Sequence, residues 1–339
     1  MALFEKKPWW AVVLVTVVIS RLQLFVVGAP LVPCYFIFGD SSADNGSNNP
    51  LPTLAKSNYS PYEIDFPDGP TGRFTNGATV VDLISELLGF DNFIPAFASG
   101  NSDIFNGGIH VSVNKQLENH QVIFNRIASD LSSNNSATQH LNKCLYSVGI
   151  GVNDYINNYF LPHFNNTSQQ FTPQQYAQVL LNQYSQQLRS LYAHRARKIA
   201  IFGLAPAGGT PYAIAKYPRN GAPCVDSLNS AVQLFNDNLK SLVDQLNDNL
   251  TDAKLMLLIV YGISSSANGL KFLNETCCPA KISSVCDPNK TPCENRREYR
   301  FWDGFHPTAA DNQIAEKRSF IALDSLDVYP FDISNLVQN

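Results

Sequence analysis

The chain is short of the features that mark several large protein classes. Charged residues are 15% of its 339 residues, 24 Lys and Arg against 28 Asp and Glu, and the basic side chains are scattered. With no basic stripe to neutralise phosphates, nothing points to a nucleic-acid surface. No break in composition marks a linker between domains. The seven cysteines include no Cys-x-x-Cys pair, and no close pair of histidines accompanies them, which argues against structural zinc. No long apolar run goes uninterrupted either: Trp9 to Ser20 is cut by Arg21 before Leu22 to Val27, so each piece is too short for a hydrocarbon core of about 30 Å.

What is present is apolar bulk. Hydrophobic residues make up 45% of the chain, enough to bury a large core, and a single domain over residues 30–339 is the expected organisation. Residues 1–29 read as a secretory signal peptide rather than a retained anchor: Lys6 and Lys7 precede the apolar stretch, and small Gly28 and Ala29 follow it. The expected location is therefore extracellular, with no stable membrane insertion once the leader is removed. An oxidising compartment suits the cysteines. Four of them, Cys277, Cys278, Cys286 and Cys293, crowd one segment rich in Pro, Asn and Lys, where sequence alone assigns no pairing. Cys34 and Cys144 each precede a candidate strand and can bridge, leaving one odd thiol. Sequons at Asn58, Asn134, Asn165, Asn166, Asn249 and Asn274 become glycosylation candidates. Asn45 has the same signature but is expected to stay unmodified, because a glycan there would obstruct Ser41.

Continuous apolar runs at Cys34–Phe38, Cys144–Gly149, Lys198–Phe202 and Lys254–Tyr261 predict strands covered on both faces. Amphipathic stretches at Thr79–Leu88 and Ser230–Leu246 predict helices between them. Alternating strands and helices imply an α/β fold with a doubly wound parallel sheet, whose ligand sites lie beyond the carboxyl ends of the strands. Ser41 and Asn153 both fall just past such ends.

Two blocks carry the chemistry. Phe36-Ile37-Phe38-Gly39-Asp40-Ser41 ends an apolar run on a presented serine, and Trp302-Asp303-Gly304-Phe305-His306-Pro307 sets an aspartate three residues before a histidine. Gly-Asp-Ser alone is a common turn composition. Together the blocks supply a nucleophile, a general base and the group that orients the base. His110, His120, His140, His163 and His194 lack such context and read as surface or helix residues.

These blocks, with Pro70-Thr71-Gly72-Arg73-Phe74-Thr75-Asn76-Gly77, Ser147-Val148-Gly149-Ile150-Gly151-Val152-Asn153-Asp154-Tyr155, Ile201-Phe202-Gly203-Leu204-Ala205-Pro206, Cys277-Cys278 and Thr291-Pro292-Cys293-Glu294-Asn295, resemble the plant GDSL esterase/lipase family of the SGNH hydrolases over nearly everything after residue 33. The resemblance implies a three-layer α/β/α, flavodoxin-like SGNH fold and a metal-free, cofactor-free serine hydrolase. It implies an acyl-enzyme on Ser41, with His306 as base, Asp303 as its orienting partner, and Ser41 N–H and Asn153 as oxyanion donors. Expected substrates are lipid, cell-wall or secondary-metabolite esters, acted on by a monomer. Two departures from the family pattern stand out. Its second oxyanion glycine is replaced by Asp103, so Gly100 or a shifted loop is the expected donor, and the Tyr261–Cys277 segment is short. They motivate an alternative, a secreted binding or accessory protein with weak turnover. Acyl transfer to an alcohol is a variant of the same triad chemistry.

Overall fold

A computed structural model of the chain describes residues 29–97, 111–161, 166–218, 220–265, 268–281 and 284–338, plus the backbone of 104–105 and 108–109. Residues 1–28 of the expected 1–29 leader, Gly100, Asp103, His110, His163 and the sequon at Asn165 lie outside the described residues. By internal contacts the chain divides into Met1–Pro30 and Leu31–Asn339, and the elements described below belong to the second unit.

The apolar runs form strands β1 (Tyr35–Gly39), β2 (Leu145–Gly149), β3 (Lys198–Phe202) and β4 (Lys254–Leu258), parallel and adjacent in that order. A small parallel pair, β5 (Phe272–Thr276) and β6 (Tyr299–Phe301), stands apart, and β7 (Val328–Tyr329) closes the main sheet antiparallel to β4. The main helices are α1 (Val80–Leu87), α2 (Val113–Asp130), α3 (Pro173–Ala193), α4 (Asp226–Asn249), α5 (Val260–Ser265), α6 (Ala309–Phe320) and α7 (Ile333–Gln338). Strand side chains alternate between two cores: Ile199, Ile201, Leu255 and Leu257 meet α2, α3 and α4, whereas Ala200, Met256 and Leu258 meet α1, α6 and α7. Helices thus cover both faces, giving the three layers of an α/β fold.

Local chemistry sets the helix starts. Thr79 accepts the Asp82 N–H while the Asp82 carboxylate accepts the Thr79 N–H at 2.9 Å, a reciprocal cap on α1. Thr172 and Gln175 do the same for α3, with Pro173 in its first turn. The α4 helix extends past the expected Ser230–Leu246 at both ends; upstream, Leu228 also points into the core. The expected strand Lys254–Tyr261 instead stops at Leu258: Ile259 N–H bonds the Asp327 carbonyl at 2.8 Å, and Val260 begins α5. Among the described residues no helix is long and apolar enough to cross a membrane.

Cys34 and Cys144 are joined where β1 and β2 begin, and the crowded segment pairs Cys277 with Cys293 and Cys278 with Cys286. The odd thiol is Cys224.

His120 lies in α2 but is only 2% exposed, packed against Phe36 and parallel to His194, and neither ring nitrogen has a hydrogen-bond partner. Burial, with the neighbouring His194 adding to it, pushes its pKa down to about 4. The unfolded chain, with a histidine value near 6.5, then takes up this proton first. Stability is whole above about pH 6.5 and falls as pH drops toward 4, by about 3 kcal/mol from this residue. Thermal melts of the His120→Phe variant should therefore lose less stability than wild type between pH 6.5 and 4. Parallel losses in both would show that His120 stays out of the titration.

Candidate active site

At the end of β1, Gly39 sits opposite Gly149 of β2. A side chain on Gly39 would meet Ala43 Cβ at 2.9 Å and the Gly149 carbonyl at 3.3 Å, so the close approach depends on its absence. The chain then turns: Ala43 N–H bonds the Asp40 carbonyl at 3.1 Å, and the Asp40 carboxylate accepts the Ser42 N–H at 2.9 Å. Burial raises the Asp40 carboxyl above the usual range, and the Ser42 bond opposes the rise. Ser41 stands at the crest of this turn, and no acceptor among the described residues takes its N–H.

The second block folds over Ser41 from the far end of the chain. Phe301 bridges Pro307, and Trp302 N–H bonds the His306 carbonyl at 2.8 Å, closing a tight loop around Asp303. One carboxylate oxygen of Asp303 caps that loop by accepting the N–H groups of Phe305 and His306, both at 2.8 Å. Asp303 is 0% exposed, and His306 Nδ1 lies 2.9 Å from each of its oxygens. His306 Nε2 lies 2.7 Å from Ser41 Oγ, and Phe74 packs on the imidazole with ring centroids 4.8 Å apart. The structure thus brings Ser41, His306 and Asp303 into one hydrogen-bonded line.

A further partner, Tyr62, was not legible in the sequence. Its hydroxyl donates to Asp303 Oδ2 at 2.6 Å and accepts the Cys286 N–H at 3.2 Å. Burial and the Asp303 charge push the Tyr62 pKa up, so the phenol stays protonated and remains a donor. Cys286 is tied to Cys278, whose N–H bonds the Trp302 carbonyl at 2.9 Å, while Gly304 N–H bonds the Ser284 carbonyl at 2.7 Å. The crowded cysteines therefore bracket the loop that carries Asp303 and His306.

Asn153 stands just beyond β2, where a π-helical turn (Asp154–Tyr159) begins, with its carbonyl oxygen accepting the Asn157 amide at 3.0 Å. Its own amide N–H groups meet no acceptor among the described residues. Ser41, Asn153 and His306 all line one cavity of about 370 Å³ with a mainly apolar wall that includes Ile37, Val152, Leu204 and Phe305. Gly100 and Asp103 lie outside the described residues, so neither has a place in this geometry. Among the described residues the one grouping of close metal-ligand atoms is Cys34, His140 and Cys144, and its two sulfurs are bonded to each other.

The arrangement can deprotonate a hydroxyl in an apolar, partly enclosed space and stabilise charge beside it. Comparison with known proteins agrees with that chemistry. The model of the GDSL-like lipase/acylhydrolase family matches residues 35–318. Two Arabidopsis thaliana proteins named GDSL esterase/lipase, At1g29660 and At1g29670, are each 43% identical to this chain over 97% of it and 98% of the relative. A third from the same plant, GDSL esterase/lipase At4g18970, is 39% identical over 96% of this chain and 98% of its own length.

Proposed function

The chain belongs to the GDSL-like lipase/acylhydrolase family, and on that premise we propose that it is a secreted serine hydrolase that cleaves carboxylic esters through an acyl-enzyme on Ser41. The coarse activity, carboxylic-ester hydrolysis, is that of its named relatives. The observation that supports the detailed reading is the unbroken line from Ser41 Oγ through His306 to buried Asp303, opening on a largely apolar cavity.

His306 Nε2 takes the Ser41 proton as Oγ attacks the ester carbonyl, then gives it to the leaving alcohol. Asp303 keeps the other imidazole proton on Nδ1 and stabilises the charged ring. The Ser41 N–H and the Asn153 amide are the donors for the tetrahedral oxyanion; each such donor is worth about 100- to 1000-fold in rate. Water then repeats the sequence on the acyl-enzyme, and an alcohol in its place makes the same machinery an acyltransferase. The competing reading as a binding protein rests on Asp103, outside the described residues, and on the short Tyr261–Cys277 segment, whereas the 2.7 Å Ser41–His306 contact favours turnover.

Secretion is supported by the leader-like residues 1–29, by three disulfides, and by exposed sequons at Asn58, Asn134, Asn166 and Asn249. Asn274 is half-buried beside the cavity. Asn45 donates its amide inward to the Ile94 carbonyl, which supports its staying unmodified.

The test is covalent. A fluorophosphonate added to the folded, disulfide-intact protein should modify Ser41, located by peptide mass spectrometry, and abolish hydrolysis of p-nitrophenyl acetate in step. A folded protein that neither reacts at Ser41 nor turns over the acetate ester would reject the acyl-enzyme reading.

A further inference from the structure

The cavity straddles the carboxyl edge of the sheet. Val152, Leu204 and Phe305 belong to the core beneath α2, α3 and α4, while Ile37, Val80 and Phe202 belong to the opposite core. On that second side α6 presents Asp311, Asn312, Ala315 and Ser319, one face of the helix, to the cavity.

The wall there holds a charged pair that the triad does not use. Arg300 Nε lies 3.7 Å from Asp311 Oδ1, with the two side chains only 11% and 14% exposed. The pair sits directly beside the loop carrying Asp303 and His306, since Thr308 N–H bonds the Arg300 carbonyl at 2.8 Å. It is unlike the buried arginine elsewhere in the fold, which grips Asp82 at 2.7 and 2.9 Å. At 3.7 Å this contact is too long for a tight hydrogen bond, so the arginine holds the Asp311 carboxylate only loosely. Burial raises that carboxyl to about 6, against the opposing pull of Arg300.

A hydrocarbon chain laid on this pair would strip its remaining solvation and return nothing. A hydroxyl would return a hydrogen bond by donating to the Asp311 carboxylate. We propose that Arg300 and Asp311 form a polar subsite that selects esters carrying a hydroxyl group on the portion lying along α6. The proposal rests on the acyl-enzyme reading of Ser41 and adds the substrate class: hydroxylated esters over plain fatty esters. The hydroxyl can belong to the acyl chain or to the alcohol.

Two matched substrate series separate those sources. In one, p-nitrophenyl fatty esters of equal length carry a hydroxyl stepped along the acyl chain or none; in the other, glyceryl and propyl esters of one fatty acid are compared. Wild type should favour the hydroxylated member by about tenfold or more in kcat/KM at some position in one series. The Arg300→Val/Asp311→Ala double variant, which leaves no lone buried charge, should bring that ratio within about threefold of unity and retain plain-ester turnover. If that variant does not fold, Asp311→Asn, which keeps the shape and removes the charge, should lower the same ratio. Ratios near unity for wild type in both series, or a preference untouched by the folded variants, would overturn the subsite and leave the pair as a clamp between β6 and α6. Labelling of Ser41 and p-nitrophenyl acetate turnover, read in the same wild-type preparation, separate that outcome from failure of the acyl-enzyme itself, which would remove the subsite's basis.

Discussion

Asp303→Asn should lower kcat for ester hydrolysis about 10⁴-fold while leaving the protein folded. The size follows from the donors around the carboxylate. Oδ1 receives the N–H groups of Phe305 and His306, and Oδ2 receives the Tyr62 hydroxyl. An asparagine must place its NH₂ group at one of these two positions. At the Oδ1 position it would face two backbone donors with no acceptor to offer, so the loop holds the amide oxygen there. The NH₂ group is then turned toward Tyr62 and His306 Nδ1. To receive that N–H, the imidazole must shift its own proton to Nε2, the atom 2.7 Å from Ser41 Oγ, where it can no longer accept the serine proton. The measurement is kcat beside the fluorophosphonate labelling rate, with a thermal melt to confirm folding. Both rates should fall together; a loss under about tenfold would mean that Asp303 does not hold the tautomer.

Much of the candidate site was legible in the sequence because its Ser, Asp and His sit in two short, recognisable blocks. Gly39-Asp40-Ser41 ends a strand, Asp303 and His306 share one short loop, and only the fold was needed to bring them together. The strand Lys198–Phe202 was read end to end because Gly203 stops its apolar run. Leu257-Leu258-Ile259-Val260-Tyr261 had no such stop: the same apolar residues serve the end of β4 and then α5, whose Val260 and Ile263 line the cavity. The two-residue edge strand β7 is too short to leave a pattern. The Cys34–Cys144 bridge was readable from its flanking strands, whereas four crowded cysteines permit three pairings. Tyr62 left no local trace, since its partner lies 241 residues away in the chain. The same holds for Arg300 and Asp311: each looks like an ordinary surface charge until the bridge between Phe301 and Pro307 folds β6 back toward α6.

The Pro70–Phe74 block matched a family pattern without a physical reason in the sequence; the structure supplies one, and with it the largest expected loss of stability. Arg73 is 4% exposed, lies over the Phe66 ring at 4.2 Å, and bonds both oxygens of Asp82 at 2.7 and 2.9 Å. Its other arm reaches Glu63 at 3.5 Å. Glu63 is itself 1% exposed and accepts the N–H groups of Gly72 and Arg73 at 2.6 and 2.8 Å. Removing the guanidinium leaves two carboxylates buried around an emptied site, so Arg73→Ala should cost about 3–5 kcal/mol, read by denaturant unfolding at neutral pH. Arg73→Lys should cost less but still a sizeable part, because an ammonium cannot grip both oxygens of Asp82 at once. The damage should also reach the site. Tyr62 precedes Glu63 and Phe74 follows Arg73, and these two side chains touch Asp303 and His306. In conditions where the lysine variant is still fully folded, its kcat should therefore fall severalfold. An alanine variant that loses under about 1 kcal/mol would show that water or repacking satisfies Glu63 and Asp82, and that the bracket does not hold the triad's support in place.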